Sequence, residues 1–368
     1  MAQDAALARP LQAGATTVGR LSHAAVHAVV LTMFAANFAF TYILRTRLGE
    51  HEWFIDLSAY AAGTHPLPFQ YRALTSWLLR GLAELPYLDQ LLPRLPAPFD
   101  DVYVFLWFWL TLACILLTFV VIWDILRIFA VDAAYRTFLA YIFLYMSFFH
   151  YILPYGDTYF ISFVYDIPSL LLFTVCWRFL LLRQYRWFMA TFVLALMNRE
   201  TVAFLVPLLL LNGFLDREFK RTMIYAALCV VAFLAVKFGL DLLYGGNPPK
   251  RPVDMTLPGS YEPQVWLNVE RLLSPQNWPL FAGMFGFLYL LVIAGWSRIE
   301  RWELRGAVLL IVPWFGVALW ITRIVELRVF GELVSVMAVA VAVVVDRYLR
   351  ALRGESVPTG DMLRDRPG

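Results

Sequence analysis

Apolar stretches of membrane-crossing length recur along this chain, joined by short connections that carry arginine. They run over 24–44, 102–126, 134–153, 158–182, 187–198, 201–215, 222–243, 278–297, 306–322 and 329–346. A helix needs about 20 apolar residues to cross the hydrocarbon core, and all but 187–198 and 201–215 approach that length. The chain is 61% hydrophobic and 15% charged over 368 residues, against about 45–50% and about 25% in a soluble domain. The expected fold is all-α, a polytopic transmembrane bundle of about ten segments, with one integral domain over 1–350. Residues 354–368 are polar without an apolar period and read as a disordered tail.

Basic residues set the expected orientation. Arg127/Arg136, Arg178/Arg183/Arg186, Arg217/Lys220/Arg221, Arg298/Arg301/Arg305 and Arg347/Arg350/Arg353 flank the spans, whereas 154–157 has no Lys or Arg. Placing the five basic connections in the cytoplasm puts both termini inside a cytoplasmic (inner) membrane. Both flanks of 187–215 are then inside, so this stretch is expected to rise and return as a short hairpin with Asn198-Arg199-Glu200 at its tip. The other reading is one long helix with a charged kink.

Two longer segments, 45–101 and 244–277, fall outside. Within the first, 71–84 places Leu74, Trp77, Leu78 and Leu82 on one helical stripe. Fourteen residues are too few to span, so an amphipathic helix at the interface is predicted. A short helix is also expected over 266–273.

Charge inside hydrocarbon costs at least roughly 2.5–3.5 kcal/mol per residue, so such residues mark function or pairing. Asp166, Asn198, Arg199, Glu200, Arg323, Glu326, Arg328 and Glu332 all fall at or near the same membrane face. On the same side, Asp56 follows the first span and is read as a general base toward a hydroxyl, its pKa raised by partial desolvation. His51 and Glu52 are weaker candidates. Asp166 precedes Pro168, where the helix is expected to bend. Arg199, Arg323 and Arg328 suit a phosphate or pyrophosphate, while Tyr71 and Arg72 begin the interfacial helix. Each also has a structural reading: Arg199 with Glu200 or Asp166, and Arg328 with Glu332 at i, i+4 spacing.

Several chemistries find no motif. The chain has no Gly-rich loop ending in Gly-Lys-Ser/Thr, no His/Cys metal spacing and no Gly-x-Ser-x-Gly elbow. Cys114, Cys176 and Cys229 lie far apart within apolar spans and read as small buried side chains. No cofactor is expected, a divalent metal being compatible with the carboxylates but supported by no motif. No nucleic-acid partner is expected either, and the net charge of +3, small and unevenly placed, does not bear on that.

Five short pieces are similar to bacterial integral-membrane glycosyltransferases of the GT-C type: Asp56-Leu-Ser-Ala-Tyr60, Pro68-Phe-Gln-Tyr-Arg-Ala-Leu74, Tyr165-Asp-Ile-Pro168, Asn198-Arg-Glu-Thr201 and Glu326-Leu-Arg-Val-Phe-Gly-Glu332. The resemblance implies a polyprenyl-phosphate-linked sugar donor, catalysis at the outer membrane face and an essential acid at Asp56. It places Tyr60, Gln70, Tyr71, Arg72, Asp166, Asn198, Arg199, Glu200, Glu326 and Arg328 around the substrate, with membrane lipids as the surroundings. Two departures stand out: Asp56 is followed by Leu57 where these enzymes often carry a second acid, and no large soluble domain follows the last span. The alternatives are a glycolipid transporter or flippase, and a catalytically inactive subunit of an envelope-assembly complex.

Overall fold

The computed structural model describes residues 25–44, 56–97, 99–152, 163–248, 265–322 and 324–355. Among these the chain is helical. Its elements are α1 (Ala25–Leu44), α2 (Leu57–Ala62), α3 (Ala73–Ala83), α4 (Leu88–Leu91), α5 (Val102–Ile128), α6 (Ala133–Tyr151), α7 (Asp166–Leu181), α8 (Tyr185–Leu196), α9 (Leu205–Leu215) and α10 (Phe219–Tyr244). After these come α11 (Val265–Leu273), α12 (Trp278–Ala282), α13 (Tyr289–Ala294), α14 (Trp302–Leu309), α15 (Ile311–Ile321) and α16 (Leu333–Leu352). Four helical runs are long and apolar enough to cross a membrane: α1, α5, α10 and the continuous stretch Trp302–Ile321. Helix α16 has the length, but its residues from Leu333 to Val344 are all buried within the protein. Its alternating Ala and Val side chains let α5, α6, α7, α13 and α14 pack around it.

The stretch 278–297 does not form the single span expected of it. It breaks into α12 and α13 with tight turns between, because Phe285, Gly286 and Phe287 all take positive φ. Gly286 explains part of this: a Cβ there would sit 2.6 Å from the Tyr145 ring, so the backbone is pressed directly on α6.

The basic connections gather at one end. Arg178 meets Asp124 at 2.6 Å, Arg301 donates to the Ile128 carbonyl at 3.1 Å, and Arg347 to that of Phe129 at 3.0 Å. Asp346 accepts the Asp132 amide at 2.9 Å, which ties the end of α16 to the start of α6. Arg183, entering α8, reaches Asp216, leaving α9, at 2.5 Å. The two flanks of the expected hairpin therefore lie together, and the chain doubles back instead of continuing as one kinked helix. Helix α10 runs alongside: Tyr185 packs on Tyr225 with ring centroids 5.1 Å apart, Cys229 meets Met189 at 3.4 Å, and Lys237 pairs with Glu200 at the far tip.

Helix α3 shows the amphipathic geometry foreseen for an interfacial helix. Ala73, Thr75, Ser76 and Leu79 are buried, while Trp77, Leu78 and Leu82 stay exposed, so the apolar stripe faces away from the protein. The predicted helix near 266–273 is α11; its Asn268 is buried and donates to the carbonyls of Leu319 and Thr322, closing the end of α15. The three cysteines are buried and free. Arg323, His51, Glu52 and residues 356–368 of the tail lie outside the described residues.

Candidate functional site

At the end opposite the basic connections, five separate parts of the chain meet. Asp166 is the first residue of α7, which corrects the expected bend: Pro168 lies in the first turn, where its missing N–H has no helical acceptor to lose. A carboxylate at this position also faces the positive end of the helix dipole.

Asp166 is fully buried and shared between two arginines. Its Oδ1 lies 3.4 Å from Arg199, and its Oδ2 lies 3.4 Å from Arg328. Arg199 continues to Glu332 at 3.1 Å, which also accepts the Thr201 hydroxyl at 2.7 Å. Arg328 continues to Glu326 at 2.5 Å, and its guanidinium lies 3.9 Å from the centre of the Phe163 ring. The i, i+4 pair of Arg328 with Glu332 is therefore replaced, because the turn at 327–330 sends the two side chains to different partners. Nor do the neighbours Arg199 and Glu200 neutralise each other.

Asn198 bolts this cluster to the outer segment. Fully buried, it donates to the Tyr165 carbonyl at 3.0 Å and the Ser169 hydroxyl at 2.7 Å, and accepts from the Thr75 hydroxyl at 2.5 Å. The hairpin tip, α3 and the start of α7 are thus one unit. Buried Gln70 does the same job inside the outer segment: it donates to the Tyr60 carbonyl and the Ser76 hydroxyl, and accepts from the His65 amide.

A second, more open layer lies over the first. Arg72 sits over the Tyr165 ring at 5.3 Å and reaches Glu200 at 3.9 Å, while Lys237 pairs with Glu200 from the other side. The side chains of Glu200 and Lys237 are 34% and 37% exposed, against 9% for Arg199, while Arg72 is as enclosed as Arg328. Tyr71 lies beneath Lys237 and donates to Asp241 at 2.9 Å; Tyr60 donates to the Arg72 carbonyl. Lys237 and Asp241 were not singled out from sequence, although a lone lysine inside the apolar run 222–243 was a legible signal.

Asp56 stands apart from both layers. It is exposed at the N-terminus of α2, where Oδ1 accepts from the Ser58 amide (2.9 Å), the Ser58 hydroxyl (2.7 Å) and the Ala59 amide (3.0 Å). The Ser58 hydroxyl bond is the largest influence, and it lowers the Asp56 pKa. The expected upward shift is thus reversed, because capping bonds outweigh the little burial there is. Through Tyr60, one turn on, α2 docks against Tyr165, with ring centroids 6.4 Å apart.

Two arginines facing three carboxylates make the inner layer an ion-pair network in which both guanidiniums are engaged. Of the cations at this end, Lys237 in the outer layer is the most exposed. Among the described residues no group of three His, Cys, Asp or Glu side chains forms a metal site.

No family model, curated protein or solved structure matches this chain.

Proposed function

We propose that the protein is an integral membrane glycosyltransferase that moves a sugar from a polyprenyl-phosphate donor to an acceptor hydroxyl at the outer membrane face. The single observation that carries this reading is convergence. The five pieces resembling GT-C enzymes, spread from Asp56 to Glu332, are packed together through Tyr60, Arg72, Tyr165, Asn198 and Arg328. The five basic connections lie at the opposite end, which under the positive-inside rule makes that end and both termini cytoplasmic.

In this scheme Asp56, ionised at neutral pH, accepts the acceptor's proton as its oxygen attacks the anomeric carbon. The sugar–phosphate C–O bond breaks, and polyprenyl phosphate leaves with the bonding pair. Its charge is met by Lys237, the most exposed of these cations, and by Arg72 beside it on Glu200, while Asp166, Arg199, Glu326 and Arg328 hold the floor of the site in position. Purified protein given a labelled donor is expected to release polyprenyl phosphate only when acceptor is present, and Asp56→Asn is expected to stop it. Release of nothing, with movement of intact donor between leaflets, would reject transfer in favour of a transporter. The short helical hairpin and the broken stretch 278–297 are the features that favour that second reading, since transporters use interrupted helices.

A further inference from the structure

Among the described residues, the inner cluster sets three carboxylates against two guanidiniums, and the next cations, Arg72 and Lys237, are held on Glu200. Asp166, Glu326 and Glu332 form their ion pairs, among the described residues, with Arg199 and Arg328, and those of Asp166 and Glu332 are buried. The three carboxylates are not equivalent. Each oxygen of Asp166 has an arginine, and Glu326 is held by Arg328 and partly exposed. Glu332 places Arg199 and Thr201 on Oε1, whereas its Oε2 is buried with no hydrogen-bond partner.

A second orphan sits beside it. The Tyr151 hydroxyl, on α6, is buried without a partner and lies against Gly331, so close that a Cβ at 331 would collide with it. The groups around Glu332 are thus Tyr151 from α6, against Gly331, and Arg199 and Thr201 from the hairpin tip. Asp166 from α7 is on the far side of Arg199, while Arg328, from the turn before α16, pairs with Asp166 and Glu326. None of them supplies a cation to Oε2. A carboxylate that shares its one guanidinium with a second carboxylate and has one oxygen buried without a donor favours taking up a proton at that oxygen.

We infer that Glu332 is held as a neutral carboxylic acid, which makes this cluster a buried proton-binding site set against the hairpin tip. The proton resides on Oε2, Oε1 remains the acceptor for Arg199 and Thr201, and the remaining charges balance. Release of that proton to solvent would turn Glu332 into a full competitor with Asp166 for Arg199. Proton occupancy therefore decides which carboxylate holds the tip. This conclusion does not depend on sugar transfer.

Infrared spectroscopy of the full-length protein in lipid tests it without substrate. At neutral pH the wild type is expected to show the carbonyl band of a protonated carboxyl, shifted by glutamate-selective carbon-13 labelling and lost in Glu332→Gln. Asp56→Asn, at an exposed carboxylate, should retain it. Raising the pH should remove the wild-type band. A wild type without such a band, or a band untouched by glutamate labelling or by Glu332→Gln, would overturn the inference. Failure of Glu332→Gln to fold would also count against it, since the amide mimics a neutral acid and not an ion.

Discussion

The pairing of Asp166 with Arg199 is open to a quantitative test. Arg199→Met removes a guanidinium that serves two buried carboxylates, leaving Asp166 with Arg328 alone and Glu332 with Thr201 alone. Breaking a buried pair from one side costs about 3–5 kcal/mol, chiefly because the surviving charge stays desolvated. At 3.4 Å and an effective dielectric near 20, the direct attraction is about 5 kcal/mol, so this range is physically consistent. Asp166→Asn has the opposite fault: with Glu332 neutral, it leaves Arg199 short of a counter-charge. The double variant Arg199→Met/Asp166→Asn restores balance, because Arg328 keeps Glu326 at 2.5 Å. Unfolding free energies measured in one detergent should therefore show the double variant at least about 2 kcal/mol more stable than the sum of the singles implies. Additivity within about 0.5 kcal/mol would refute the shared network, since independent sites behave that way.

Three further outcomes follow from other parts of the structure. Asp56→Ala removes the cap of α2 and should cost about 1 kcal/mol; Asp56→Asn can keep the cap yet should lower turnover by about 10²–10⁴-fold, and comparing the two by melting and by product release separates the roles. Because the Asp56 pKa is lower in the folded protein than its ordinary 3.8, the stability it contributes is present above that value and should be lost as pH falls through the folded pKa, while Asp56→Asn should lack that acid-side loss. Cysteines at Arg186 and Lys220 should react with an impermeant reagent from the same side of the membrane, and one at Arg80 from the other; labelling of 186 and 220 from opposite sides would contradict the ion pair of Arg183 with Asp216.

Much of the helical order was legible because apolar runs of about 20 residues have few alternatives. The hairpin was legible for a related reason: basic flanks on both sides of an undersized run force a return. What escaped was local. The run 278–297 looks continuous because Phe, Leu and Val suit a span, and the turn at Phe285–Phe287 is imposed by contact with Tyr145 on another helix. Asp166 looked embedded mid-span because apolar residues precede it, yet α7 begins there. Partner choice within the cluster was not readable either. Spacing paired Arg328 with Glu332, but a tight turn over 327–330 redirected Arg328 to Asp166 and Glu326. Lys237 was overlooked because the apolar average of its span conceals one charge, and only its approach to Glu200 reveals a role.

The most direct test of the proposed site is a structure of the full chain in lipid with a bound polyprenyl-phosphate sugar analogue. The phosphate is expected within hydrogen-bonding distance of Arg72 and Lys237, with the sugar between them and Asp56. A phosphate seated at the basic end of the bundle, or a headgroup at the expected end that leaves Arg72 and Lys237 untouched, would contradict it.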